Sequence, residues 1–208
     1  VLQFAVTVAF LLAQYMIGHI NTAITIPWIG VVDLGYFYYP IVFAGITFMV
    51  NAVNLTDGID GLCASVTFIV ALGFFMISAS YGYYANSIFA CALAGALAGF
   101  LVWNFYPAKV FMGDTGSLTI GGIIGVSAVV IHKELLLPII CGVFLMESVS
   151  VILQTQVYKW NKRKGKHIRL WKRTPLHDHY RTSVEQVLKN DPTCRIVFKG
   201  SNKLQHES

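Results

Sequence analysis

The chain has 208 residues, of which 56% are hydrophobic and only 12% charged, about half the charged share of an average soluble domain. Charge is also confined: residues 1–158 hold eight charged side chains and a formal charge of −4, whereas residues 159–208 hold seventeen and +9. A soluble globule needs a charged shell along its whole length, so that class is excluded, and membrane residence with a basic segment at one end is expected.

Crossing a hydrocarbon core about 30 Å thick takes about 20 apolar residues as a helix. In chain order the runs that approach this are residues 1–17, 36–53, 62–80, 88–106, 118–131 and 135–158, which predicts an all-α, polytopic membrane helix bundle with about six spans. The fourth run is rich in small residues, and the spacing of Gly95 and Gly99 predicts close helix contact inside the bundle. The fifth is short, so it must extend through Gly116 or lie in thinned bilayer. The sixth contains Glu147, Gln154 and Gln156, polar groups that predict a helix partly buried among others. Residues 1–158 are thus read as the transmembrane bundle and 159–208 as a basic cytoplasmic loop.

Orientation follows from the basic residues. The cluster between Lys159 and Arg173 directly follows the sixth run, which puts that end in the cytoplasm. Counting back through six spans puts the loops at 54–61 and 107–117 on the same side. Cys63, Cys91, Cys141 and Cys194 have no CxxC spacing, so buried small hydrophobes are expected rather than a disulfide framework or zinc site. Val1 opens inside an apolar run and Ser208 closes a polar one, so the chain is expected to be a piece of a longer protein; no signal peptide is recognisable.

Three clusters carry chemistry. The first, NAVNLTDGIDGL at 51–62, spaces Asn51, Asn54 and Asp57 three apart, on one side of a helix's last turns. Gly58 and Gly61 then free the backbone to turn. Carboxylates at this depth are costly unless paired or hydrated. An EF-hand is excluded, because Ile59 and Phe68 fall where that loop needs ligands. The second runs from Asn104 through VFMGDTGSL at 110–118. Asp114 lies between glycines, and Ser117 is expected to N-cap the next helix, whose N-terminus favours phosphate oxygens. The GxxxxGK[ST] spacing of a Walker A loop is absent. The third surrounds PLHDHY at 175–180, where His177 and His179 sit among Lys172, Arg173 and Arg181, a surface suited to a diphosphate. Lys159 to Lys166 read only as a polybasic stretch attracted to anionic lipid. Acids and a cationic histidine loop on one membrane face point to two anionic substrates bridged by a hard divalent cation, Mg²⁺.

These three motifs resemble the polyprenyl-phosphate N-acetylhexosamine-1-phosphate transferases, and within them the bacterial phospho-N-acetylmuramoyl-pentapeptide transferases. The resemblance implies a ten-helix fold in the bacterial cytoplasmic membrane, a cytoplasm-facing cleft and commonly a homodimer, with no nucleic acid partner. It implies transfer of phospho-N-acetylmuramoyl-pentapeptide from UDP to undecaprenyl phosphate, giving UMP and lipid I in peptidoglycan synthesis. By motif position, Asp114 would hold Mg²⁺, Asn54 and Asp57 would line the catalytic cleft, and His177 would serve at the diphosphate. Gly58, Asp60, Asn104 and Phe111 would border the uridine pocket, with Phe111 stacking on uracil, and His179 would join the substrate contacts. Two departures stand out: Asp178 replaces the middle of three histidines, and the family's adjacent aspartate pair would lie upstream of Val1. The chain alone is therefore expected to be inactive. The alternatives weighed are a sister enzyme using UDP-N-acetylglucosamine and a lipid-linked transporter or flippase. The latter is disfavoured because acids gather at span ends.

Overall fold

The computed structural model describes residues 2–18, 22–26, 30–165, 167–190 and 195–198. It divides into two compact units, Val1–Gly142 and Val143–Ser208.

In the first unit, helix α1 (Leu2–Ile17) is followed by an antiparallel hairpin of β1 (Ala23–Ile26) and β2 (Gly30–Asp33), in register Ala23 to Asp33 and Ile26 to Gly30. Then come α2 (Tyr38–Thr56), α3 (Leu62–Ser80), α4 (Tyr84–Asn104), α5 (Gly113–Val130) and the single turn α6 (Leu137–Ile140). Four helical stretches among the described residues are long and apolar enough to cross a membrane: Gly35–Thr56, Leu62–Ser80, Tyr84–Asn104 and Gly113–Val130. A fifth arises if Glu134–Ile140 and Gly142–Arg163 count together, and α1 is a shorter apolar helix. The chain is a polytopic helical membrane protein. The expected run 135–158 is not one helix: the chain breaks at Cys141, between Pro138 at the start of α6 and Gly142 at the start of α7. Proline fits a helix only in its first turn, and glycine is a poor helix former, so the break is local sequence chemistry. The short fifth run does extend back through Gly116, beginning at Gly113.

Helices α2 and α5 are joined backbone to backbone. A Cβ on Gly121 would lie 2.6 Å from Val50 Cα, and one on Gly125 would lie 3.3 Å from Ile46 Cα. Four residues before Gly121, nearer the start of α5, Ser117 meets Asn54. Each step of four up α5 is thus a step of four down α2, so the helices run antiparallel with a Ser-Gly-Gly stripe as the seam. The stripe expected on α4 behaves otherwise: among the described residues nothing lies within 4 Å of a Cβ placed on Gly95 or Gly99. Instead α4 buries Ala90, Ala94 and Leu97 and packs beside α3. Small residues alone do not say which helix face is covered. Cys63 and Cys141 are buried, Cys91 is exposed, and Cys194 lies outside the described residues.

The second unit opens on α7 (Gly142–Arg163), which runs past Tyr158 to finish on Lys162 and Arg163, cations suited to a helix C-terminus. It continues with β3 (Ile168–Trp171), α8 (Leu176–Arg181), α9 (Val184–Asn190) and β4 (Arg195–Phe198), with β3 and β4 parallel. Val187 of α9 and Ile196 of β4 form its small core with Val184. The polar Gln154 inside α7 is explained here. Its Oε1 accepts from the Leu170 N–H at 2.9 Å and the Trp171 N–H at 3.1 Å, and its Nε2 donates to Trp171 O at 3.3 Å, binding β3 to the helix.

Candidate active site

The first-unit site forms where α2 ends and α5 begins. Asp57 closes α2 and Asp114 stands in the first turn of α5. Asn54, one turn before Asp57, donates through Nδ2 to Asp114 Oδ1 at 3.0 Å and to Ser117 Oγ at 3.0 Å. Ser117 in turn donates to Gly113 O at 3.1 Å. Ser117 is therefore not the expected N-cap: Met112 precedes the first turn, without a side-chain cap, and Ser117 lies inside the helix. Burial, and then the neighbouring Asp114 carboxylate, hold the half-buried Asp57 carboxyl above its ordinary value of 3.8. Asn51 turns away, donating to Thr47 O at 2.7 Å.

The two loops are cross-tied. Asn104, buried at the end of α4, accepts the Gly61 N–H on Oδ1 at 3.1 Å and donates to Val110 O at 2.9 Å. Asp60 Oδ2 accepts the Ala108 N–H at 3.1 Å. Gly61 takes φ +74, a left-handed conformation that suits glycine at the turn into α3. Asn104 and Asp60 thus fix the relative position of the 54–61 and 107–117 loops through backbone groups. Gly58 is exposed, and Phe111 is 73% exposed, a free ring on the second loop.

The carboxylate pair suits a hard cation. Among the described residues no cluster of three His, Cys, Asp or Glu side chains forms. Asp114 is close enough to Asp57 to add to the rise that burial causes in the Asp57 carboxyl, and such a pair fits Mg²⁺, which takes one or two carboxylates and completes its shell with water and phosphate oxygens. A cavity of about 780 Å³ starts at Asp114 and Thr115 and continues past Leu118, Gly122 and Val126 to Ser127. At 1.5 Å per residue this face of α5 is about 20 Å long, and apolar side chains of α1 and α2, Phe10 and Ile46 among them, help wall it.

The histidine motif lies in the second unit. His177 Nδ1 is 3.2 Å from Glu147 Oε2, with both side chains under a tenth exposed. That is ion-pair distance, though the ring nitrogen is not aligned as a hydrogen-bond donor. The same Oε2 accepts the His177 backbone N–H at 3.2 Å. His179 is buried, and its Nδ1 accepts the Lys172 N–H at 3.1 Å. Burial, and then the Lys172 charge, push the His179 imidazole below its ordinary 6.5. Asp178 stands in the first turn of α8, with its Oδ2 3.9 Å from Arg173 Nε. The Glu147 partnership was not expected from sequence. A lone acid inside an apolar run signals that a partner exists but not which residue provides it.

A sequence profile described as glycosyl transferase family 4 matches residues 1–132, which include both acid-bearing loops. The chain is 50% identical over 178 residues to the phospho-N-acetylmuramoyl-pentapeptide-transferase of Bacteroides thetaiotaomicron, covering 78% of this chain and 42% of that protein. It is 45% identical over 182 residues to the enzyme of the same name from Halalkalibacterium halodurans, covering 87% of this chain and 54% of that protein. The chain spans about half the length of the curated relatives it matches. With the profile covering well over half the sequence and ending beyond α5, the chain belongs to glycosyl transferase family 4.

Proposed function

We propose that this chain is part of a phospho-N-acetylmuramoyl-pentapeptide transferase, which moves a phosphosugar from UDP to undecaprenyl phosphate and releases UMP. The observation that carries the reading is Asp114, held by Asn54 beside Asp57 at the end of an apolar cavity on α5. A polyprenyl chain needs an apolar groove, and its phosphate needs a metal-binding acid at the groove's end. Here one helix face supplies both.

Asp114, with Asp57 beside it, would hold Mg²⁺. When bound, the ion neutralises phosphate charge on the two anionic substrates. Asn54 keeps Asp114 turned toward the cavity. Asn104 and Asp60 hold the two loops together, so that exposed Phe111 is available to stack on the uracil ring. His177, backed by Glu147, serves at the diphosphate, and His179 shapes the turn before it. The names of the relatives support the transferred group, phospho-N-acetylmuramoyl-pentapeptide, and the apolar cavity that ends at Asp114 supports a polyprenyl acceptor. The positions of Lys159, Lys162 and Arg163 at the end of α7 support a cytoplasm-facing site in the bacterial cytoplasmic membrane.

The test is Asp114→Asn in the full-length protein. Transfer is expected to fall below detection, and UMP binding measured by calorimetry should lose its Mg²⁺ dependence. Near-normal turnover would overturn the assignment. Exchange of labelled UMP with UDP-N-acetylglucosamine alone would instead indicate the sister enzyme.

A further inference from the structure

A second cavity, about 500 Å³, lies wholly within the second unit. Its walls carry Arg169 of β3, Lys172 and Arg173 after that strand, and Lys189 of α9, with the neutral donors Gln186 and Asn190 between them. Val187 forms an apolar patch in the wall and ties α9 to β4 through Ile196.

Among the described residues this charge meets little counter-charge, although the Arg169 guanidinium lies over the Tyr158 ring, 5.4 Å from its centroid. Lys172 is only 2% exposed, and among the described residues no carboxylate comes within ion-pair distance of Arg169, Lys172 or Lys189. Arg169 Nε is buried without a hydrogen-bond partner. Among the described residues Arg173 is paired only with Asp178, whose Oδ2 is 3.9 Å from its Nε. Concentrated, partly buried cations without counter-charge are costly unless an anion binds. His177 is not among the lining residues, so the cavity is separate from the imidazole assigned to the diphosphate.

The surroundings say which anion. Leu188, Val197 and Phe198 project from the same α9 and β4 and are 38%, 52% and 54% exposed. Phe198 stacks on Trp171 of β3, with ring centroids 6.0 Å apart. α7, from the same unit, ends with an exposed Trp160 over which Lys164 lies, an aromatic and basic pairing typical of a membrane interface. A small free anion leaves these apolar side chains of α9 and β4 in water, whereas an anionic lipid carries both a group for the cationic cavity and acyl chains for apolar side chains of the same unit.

We propose that the cavity walled by Arg169, Lys172, Arg173 and Lys189 binds the phosphodiester headgroup of an anionic phospholipid, whose acyl chains cover Leu188, Val197 and Phe198. This is a defined headgroup site, distinct from diffuse attraction of the basic segment to the bilayer. It goes beyond the transferase reading and does not depend on it.

The experiment uses the full-length protein in phosphatidylcholine nanodiscs doped with phosphatidylglycerol, with retained lipid counted by native mass spectrometry. Wild type is expected to keep one phosphatidylglycerol per chain, and the R169Q/K189Q variant to retain it about tenfold less. The single exposed change Lys189→Gln should give a smaller loss, and full retention by that variant overturns the proposal. Equal loss from K162Q/R163Q, at the end of α7, also overturns it, because diffuse charge would then explain retention. Displacement of the lipid by inorganic phosphate at equal concentration indicates a free-anion site and overturns it too. So does a raised KM for the soluble peptide-bearing sugar nucleotide with lipid retention unchanged, which would assign the cavity to the peptide. UMP binding, measured on the same samples, is expected to be unaltered and reports separately on the transferase site.

Discussion

Asn54 Nδ2 reaches Asp114 Oδ1 at 3.0 Å across sixty residues of sequence. This hydrogen bond ties the end of α2 to the start of α5 and sets the direction of the Asp114 carboxylate. Asn54→Ala removes it without removing charge. Turnover should fall by about a hundredfold, the scale of a one-ångström misplacement, with little change in nucleotide affinity. Steady-state kinetics on the full-length enzyme checks both parts.

Asp57 gives a pH signature. Its carboxyl is held above the ordinary 3.8 by burial and by Asp114, so the folded protein binds its proton more tightly than the unfolded chain. The stability this group contributes is complete below 3.8 and is lost as pH rises through the raised value. Without divalent cation, Asp57→Asn should therefore raise the melting temperature at neutral pH. Mg²⁺ should raise it in wild type and do so less in the variant, since metal and proton compete for the carboxylate. Thermal melts with and without Mg²⁺, taken from acid to neutral pH, provide the readout.

The seam glycines can be ranked. A methyl on Gly121 would meet Val50 Cα at 2.6 Å and Met49 O at 3.0 Å, atoms of backbone that cannot rotate aside. Gly121→Ala should destabilise by about 1–3 kcal/mol and lower activity by moving Asn54 away from Asp114. Gly95→Ala meets nothing within 4 Å among the described residues and should be neutral or stabilising by up to about 1 kcal/mol through helix propensity. Equal melting temperatures for the two variants would contradict the seam.

Glu147→Ala leaves the His177 backbone N–H without its acceptor and the His177 ring without the neighbouring carboxylate inside a buried site. The expected cost is about 1–3 kcal/mol, accompanied by a fall in turnover. Glu147→Gln keeps an oxygen for the His177 N–H and should restore most of the stability but not the rate. Denaturant melts beside turnover assays separate the two effects.

His179 is pushed below 6.5 by burial and Lys172, and its Nδ1 must be unprotonated to accept the Lys172 N–H. This contribution is present above pH 6.5 and is lost as pH falls through the lowered value. Hydrogen exchange at the Lys172 amide, corrected for intrinsic rate, should quicken on acidification. His179→Gln should remove that dependence.

The sequence announces groups whose chemistry is expensive. Asp57, Asp114 and His177 stand out because charge is scarce around them, and the span ends are legible because apolar runs stop there. Partnerships are less legible. Nothing in the spacing of Glu147 names His177, and Ser117 reads as a cap when it is a ligand for Asn54. Gly95 and Gly99 match the helix-contact pattern as well as Gly121 and Gly125 do; only the fold decides which pair is covered. The β1–β2 hairpin and the β3–β4 pair arise from four-residue strands too short to show a pattern within mixed loops.

The antiparallel seam has an electrical consequence. At the end where Asn54 meets Asp114, α2 presents its carbonyl terminus and α5 its amide terminus, each equivalent to about half an elementary charge of opposite sign. Two opposed poles therefore lie side by side, held in contact by Gly121 and Val50. Were a cation and a phosphate bound here, the carbonyl pole that Asp57 closes would favour the cation and the uncapped amides of α5 the phosphoryl oxygens, with Asp114 in the first turn of α5 offering the cation its second carboxylate. No side-chain substitution can reverse that polarity, so the direction in which a bound phosphoryl group would face this site is set by the helix arrangement.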